Sequence, residues 1–175
     1  MARRKQFTVS LNLPFGLGGL QQTWEPDDDE RRAAWELYVE LATRIATVPL
    51  ERDKGLAREA LTSLYTLFES TRMILRRYGP GIAQPKIDGG ASFGTLAVTV
   101  LNSAIRPLLS TWHPMLQDWE EQRPADVTRV AWEQQWGRIS ELRTAIDDVR
   151  ATVNQYAALL AEVAEVPLLT DPPIR

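Results

Sequence analysis

The sequence predicts an all-α fold: an antiparallel four-helix bundle preceded by an extended N-terminal arm. Three observations predict it. Apolar residues recur at steps of three and four through most of the chain beyond residue 26, the spacing of an amphipathic helix. Prolines and glycines stand between those periodic stretches, at Pro49, at Gly79-Pro80-Gly81 and at Pro124. Only residues 6–13 alternate polar and apolar, as a half-buried strand does. With 175 residues, 44% of them hydrophobic and 25% charged, the chain has the length and composition for one sizeable core. It divides into an extended arm over residues 1–25, a helical bundle over 26–166 and an extended tail over 167–175.

The arm carries Phe7, Val9, Leu11 and Leu13 on one face and Thr8, Ser10 and Asn12 on the other. The apolar loop Pro14 to Leu20 then breaks the pattern. No second good strand follows, so the segment is expected to lie in a groove of the bundle or to pair with another chain. The first helix should begin near Asp27, where Asp27-Asp28-Asp29-Glu30 supplies acids to a helix N-terminus. Its face is Ala34, Tyr38, Leu41, Ile45 and Val48, and Pro49 ends it. A second helix is expected from about Arg52 to Tyr78, with Ala57, Leu61, Leu64, Phe68, Thr71, Leu75 and Tyr78 on one face. The loop from Gly79 to Ala91, with its two prolines and four glycines, separates it from a third helix. Ser92 is the expected N-cap there. That helix should run toward Gln122, kinked or split by Pro107 and Pro114. The last helix is expected over about Ala125 to Val166, with Ile139, Leu142, Ile146, Val149, Val153, Tyr156, Leu160 and Val163 in register. Forty residues at 1.5 Å each give roughly 60 Å, against about 40 Å for the second helix. The long helix must overhang, bend at Gly137, or pack on a second chain.

Composition narrows the function. There is no cysteine, which removes disulfides, thiolate metal ligands and cysteine nucleophiles. The single histidine, His113, rules out a multi-histidine metal site within one chain. A net charge of -3 offers no general attraction for nucleic acid. No run approaches the roughly 20 apolar residues of a membrane span. A cytoplasmic protein without membrane contact is expected, and no cofactor is called for.

Four features could carry function. The segment 102–114 places Asn102, Arg106 and His113 close to one line of a helix, beside the apolar stripe Leu101, Ile105, Leu108, Trp112, Leu116 and Trp119. Histidine is the usual general base near neutral pH, and arginine can hold phosphate. Arg106 and His113, with six residues between them, resemble the Arg-x(4–6)-His motif of HEPN ribonucleases, which are helical bundles. In that family the arginine and histidine act together on the scissile phosphate, usually in a dimer. Pro107 departs from the polar residue that the family favours after the arginine. The second feature is the set of six tryptophans, of which Trp112, Trp119, Trp132 and Trp136 flank the turn before the last helix. They suit an aromatic core plug or a contact for a protein partner. The third, Gly89-Gly90 ahead of Ser92, has no P-loop lysine and reads as a flexible approach to the third helix. The fourth is the strand itself, with Phe7, Val9 and Leu11 available to another chain.

On balance the sequence leads to a non-enzymatic protein-interaction or adaptor module, an oligomeric accessory component of a bacterial multi-protein system. Its expected contact residues are Phe7, Val9, Leu11, Trp112, Trp119, Trp132 and Trp136. The runner-up is a metal-independent HEPN-like ribonuclease using Arg106, His113 and Asn102. A small-ligand sensor is the third reading.

Overall fold

The computed structural model describes residues 5–51 and 54–169. Met1–Arg4 and Thr170–Arg175, with the beginning of the expected arm and the end of the expected tail, lie outside them, as does Arg52, where the second helix was expected to begin. Strands β1 (Phe7–Leu13) and β2 (Gly18–Trp24) come first. Helices α1 (Asp28–Ala42) and α2 (Ala57–Tyr78) follow. Helix α3 (Phe93–Val100) continues through a π-helical turn, Leu101–Ile105, into α4 (Arg106–Glu121). A short α5 (Arg129–Gln134) precedes α6 (Ile139–Val163).

This corrects the expected architecture. The chain is mostly helical, but it is not a four-helix bundle with a lone strand. The strand pairs in cis, antiparallel to β2, with Phe7 opposite Trp24 and Leu13 opposite Gly18. The second strand is hidden in the sequence because Gly18, Gly19, Gln21 and Gln22 mask its alternation; only Leu20 and Trp24 mark its inner face. A turn with positive φ at both Phe15 and Gly16 joins the strands, as a two-residue hairpin requires. Phe7, Val9 and Leu11 are buried in the chain's own core. Helix α6 holds β1 in place: Asn12 N–H donates to Gln155 Oε1 at 2.8 Å, and Thr152 Oγ1 donates to the Asn12 carbonyl at 2.6 Å.

The expected long C-terminal helix is also two helices. Thr128 caps α5 by accepting from the Ala131 N–H. The chain then turns through residues 135–138, with Trp136 N–H donating to the Glu133 carbonyl and Ile139 N–H to that of Trp136. Gly137, with its low helix propensity, and the burial of Trp136 account for the break. The 25 residues of α6 span about 38 Å and the 22 of α2 about 33 Å, so α6 exceeds its neighbour by only about 5 Å. Its buried stripe runs from Leu142 to Val163 along the expected register, and it packs on α1, β1, α2 and α4. Helix α1 stops at Ala42, earlier than expected, leaving Val48 exposed. Arg44 leaves the helix axis to bind the Ser63 carbonyl and Ser70 Oγ of α2 and the Glu40 carboxylate.

Two buried glutamates join distant segments. Glu30 is fully buried; it accepts from Trp24 Nε1, from the N–H groups of Asp27 and Phe93, and from Lys86 Nζ. It completes a capping box with Asp27 on α1 and also serves the N-terminus of α3, where Ser92 is the expected cap. Glu133 of α5 accepts from the Ala57 N–H at 3.0 Å with each oxygen and pairs with Arg143. It supplies the cap that Leu56, the residue ahead of α2, lacks. The glycine-rich approach to α3 is explained by packing. A Cβ on Gly90 would stand 2.9 Å from the Thr23 carbonyl oxygen, and one on Gly94 only 2.6 Å from Ala83 Cβ.

Candidate functional site

Helix α2 buries Leu61, Leu64, Leu67 and Ile74, which leaves a second stripe, Thr62, Tyr65, Phe68 and Arg72, beside the core face. Opposite it, α4 presents Arg106, Leu109, Ser110 and His113. Between the two stripes lies an open groove of about 640 Å³.

The π-turn sets one side of this groove. Pro107 has no N–H and its ring would press on the carbonyl one turn back. The chain widens instead, and Arg106 N–H bonds to the Leu101 carbonyl across a π-helical turn. Such bulges inside α-helices are frequent at functional sites. The Arg106 side chain is then fixed twice: Nε donates to Asn102 Oδ1 at 3.0 Å, and the guanidinium lies over the Phe68 ring, 5.2 Å from its centroid. Its terminal nitrogens have no partner among the described residues. Arg72 likewise takes part in no ion pair among them.

The other end is built on His113. Arg58 Nη1 stands 2.7 Å from His113 Nδ1. A guanidinium only donates, so Nδ1 must accept and the ring proton sits on Nε2. Burial, the Arg58 charge and, in the opposite sense, Glu120 act on the ring, with the net effect of holding it below the usual histidine range. His113 is therefore neutral at pH 7. Arg58 is itself anchored to Glu120 at 2.9–3.1 Å. The Tyr65 ring meets the imidazole edge-on at 6.2 Å and is 62% exposed. Ser110 Oγ donates to the Arg106 carbonyl and Thr62 Oγ1 to that of Arg58, leaving both hydroxyls with lone pairs to offer.

No family model, curated protein or solved structure matches this chain.

The structure thus brings Arg106, His113 and Asn102 together at one groove, two of them lining it and the third holding Arg106. It sends the other candidate contact residues elsewhere. Trp112 and Trp136 are buried and meet edge to face at 6.1 Å. Trp119 and Trp132 stack at 4.3 Å, and each indole N–H donates to the other's backbone carbonyl. These pairs fasten α4 to the α5 region. Sequence reasoning missed Arg58, Tyr65, Phe68 and Arg72 as site residues. Phe68 had been placed on the core face of α2, and it does pack partly buried against the core, while its ring also meets the Arg106 guanidinium. The usable signal was an exposed aromatic, Tyr65, between threonine and arginine on the polar side of α2. Among the described residues no cluster of His, Asp and Glu could hold a metal ion, and no helix is long and apolar enough to cross a membrane.

Proposed function

We propose that this chain is a non-enzymatic recognition module that holds an anionic ligand in the groove between α2 and α4. One observation carries the reading. The groove lining contains two arginines and a histidine N–H but no carboxylate, on a chain whose net charge is -3. Unpaired guanidiniums gathered in a concave, partly apolar site suit an anion. The reading keeps the non-enzymatic part of the sequence expectation, a module working with partners in a bacterial cytoplasm. It moves the contact from the tryptophans and the N-terminal strand, which the protein uses internally, to the groove. The test is titration of the 15N-labelled protein with sodium phosphate at constant ionic strength set by chloride. Resonances of Tyr65, Arg72, Arg106 and His113 should shift saturably, and Arg106→Ala should weaken the response at least fivefold. If chloride and phosphate give the same spectrum, the reading falls.

The ribonuclease reading has one observation in its favour: Arg106 and His113 line the same groove. The tautomer opposes it, because the imidazole lone pair needed by a general base is taken up by Arg58. Incubation with labelled RNA, beside His113→Ala, decides this; cleavage by the wild type that the variant lacks would replace the first reading with the second.

A further inference from the structure

We propose that the ligand of this groove is a phosphate monoester carrying a flat, hydrogen-bonding ring, of the class of a nucleoside monophosphate. The proposal rests on the reading of the groove as an anion site and adds what fills its remaining length.

The charged end asks for more than a carboxylate. Arg106 is held by Asn102 at Nε and by the Phe68 ring beneath it, so its two terminal nitrogens form an oriented fork. Such a fork matches two oxygens of one anion. Arg72 lines the same groove from the facing helix, one turn beyond Phe68. Two cations without counter-ions suit a group of charge near -2, which a phosphate monoester carries at pH 7 and a single carboxylate does not. The net charge of -3 favours a small ligand over a polyanion, whose binding needs many phosphate contacts.

The far end asks for a ring. From Arg106 to His113 is seven residues, about 10 Å along the helix. Leu109 is apolar floor over this stretch, and Tyr65 offers an exposed aromatic face at its end. An exposed aromatic beside a cationic site is a stacking platform for a base. The polar atoms there are of both kinds: a donor at His113 Nε2, and acceptor lone pairs on Ser110 and Thr62. A simple hydrocarbon ring would leave these unmatched, whereas a ring bearing both acceptors and amino or imino N–H groups would satisfy them. The volume of about 640 Å³ lies within the range of small-molecule sites.

Calorimetry on the full chain with defined probes tests this: inorganic phosphate, ribose 5-phosphate, adenosine, and the adenosine, guanosine, cytidine and uridine 5′-monophosphates. At least one monophosphate should bind tenfold or more tightly than both ribose 5-phosphate and adenosine. Tyr65→Ala should erase its advantage over ribose 5-phosphate while leaving ribose 5-phosphate binding unchanged. Arg106→Ala should lower the affinity of both phosphate compounds at least tenfold. Both positions are exposed, and circular dichroism checks that the variants fold. If ribose 5-phosphate binds as tightly as every monophosphate, the ring half is overturned and the anion site stands. If no phosphate compound binds, the anion site falls as well. A tight monophosphate unaffected by either substitution places its binding outside the groove and overturns the proposal.

Discussion

Single side chains in this protein hold opposite kinds of energetic position. The Tyr156 hydroxyl is buried in the core, finds no hydrogen-bond partner among the described residues, and burial pushes its ionisation far above the usual tyrosine range. An unmatched buried hydroxyl costs about 1–3 kcal/mol, so Tyr156→Phe should raise stability by about 1 kcal/mol, read as a higher urea midpoint at unchanged slope. His113 works through protonation. Its ring is held below the ordinary histidine range by burial and by Arg58, with Glu120 opposing, so the unfolded chain binds a proton at a pH where the folded chain does not. Stability from this group is complete above the ordinary value near pH 6.5 and is lost as the pH falls toward the depressed folded value. Urea midpoints at pH 7.5 and 5 should therefore differ by more in the wild type than in His113→Gln. Equal pH dependence in both would mean that the imidazole is not the source.

At the scale of elements, the break in the long rod decides which side chains face the groove. Pro107 stands just past the π-turn, and Asn102 within that turn holds Arg106. Pro107→Ala restores the N–H and lets the rod return to the regular α-helical period, which turns α3 and α4 relative to each other and so shifts the Arg106–His113 stripe against α2, while Asn102 and Arg106 remain neighbours at i and i+4. The expected outcome is phosphate binding weakened severalfold with the urea midpoint equal to or above that of the wild type. Unchanged binding would detach the bulge from the site. The same element shows what was legible in the sequence and what was not. The caps at Asp27 and Ser92 and the stripe from Leu142 to Val163 were legible, because each is a local pattern of a few residues. Helix α5 was hidden because no proline separates it from α6, and its end depends on where Trp136 finds a pocket. Strand β2 was hidden because only Leu20 and Trp24 turn inward, while its other residues are exposed. Of the groove, the sequence showed Arg106 and His113, which share a helix. It could not show Arg58, Tyr65 and Arg72, whose nearness to them is a matter of helix packing.

For the whole molecule, cohesion between segments comes as much from a few polar ties as from the shared core. Glu133 links the N-terminus of α2 to Arg143 of α6 from its place on α5. Removing it takes the carboxylate from the half-buried Arg143, which keeps only the Glu51 carbonyl among the described residues, and leaves a helix start uncapped. Glu133→Ala should cost about 3 kcal/mol, and Glu133→Gln, which keeps an acceptor, less. Chemical denaturation of the two variants measures the difference; equal loss would assign the effect to packing. Glu30 makes the wider tie. Its carboxylate draws donors from residues 24, 27, 86 and 93, and Glu30 itself is closed to water. A nascent chain on the ribosome can build the hairpin and α1 early, yet it has no favourable place to bury that charge until Phe93 has left the exit tunnel. The first third of the protein must therefore wait, with a water-exposed carboxylate and an unsealed core, for the middle third to be synthesised.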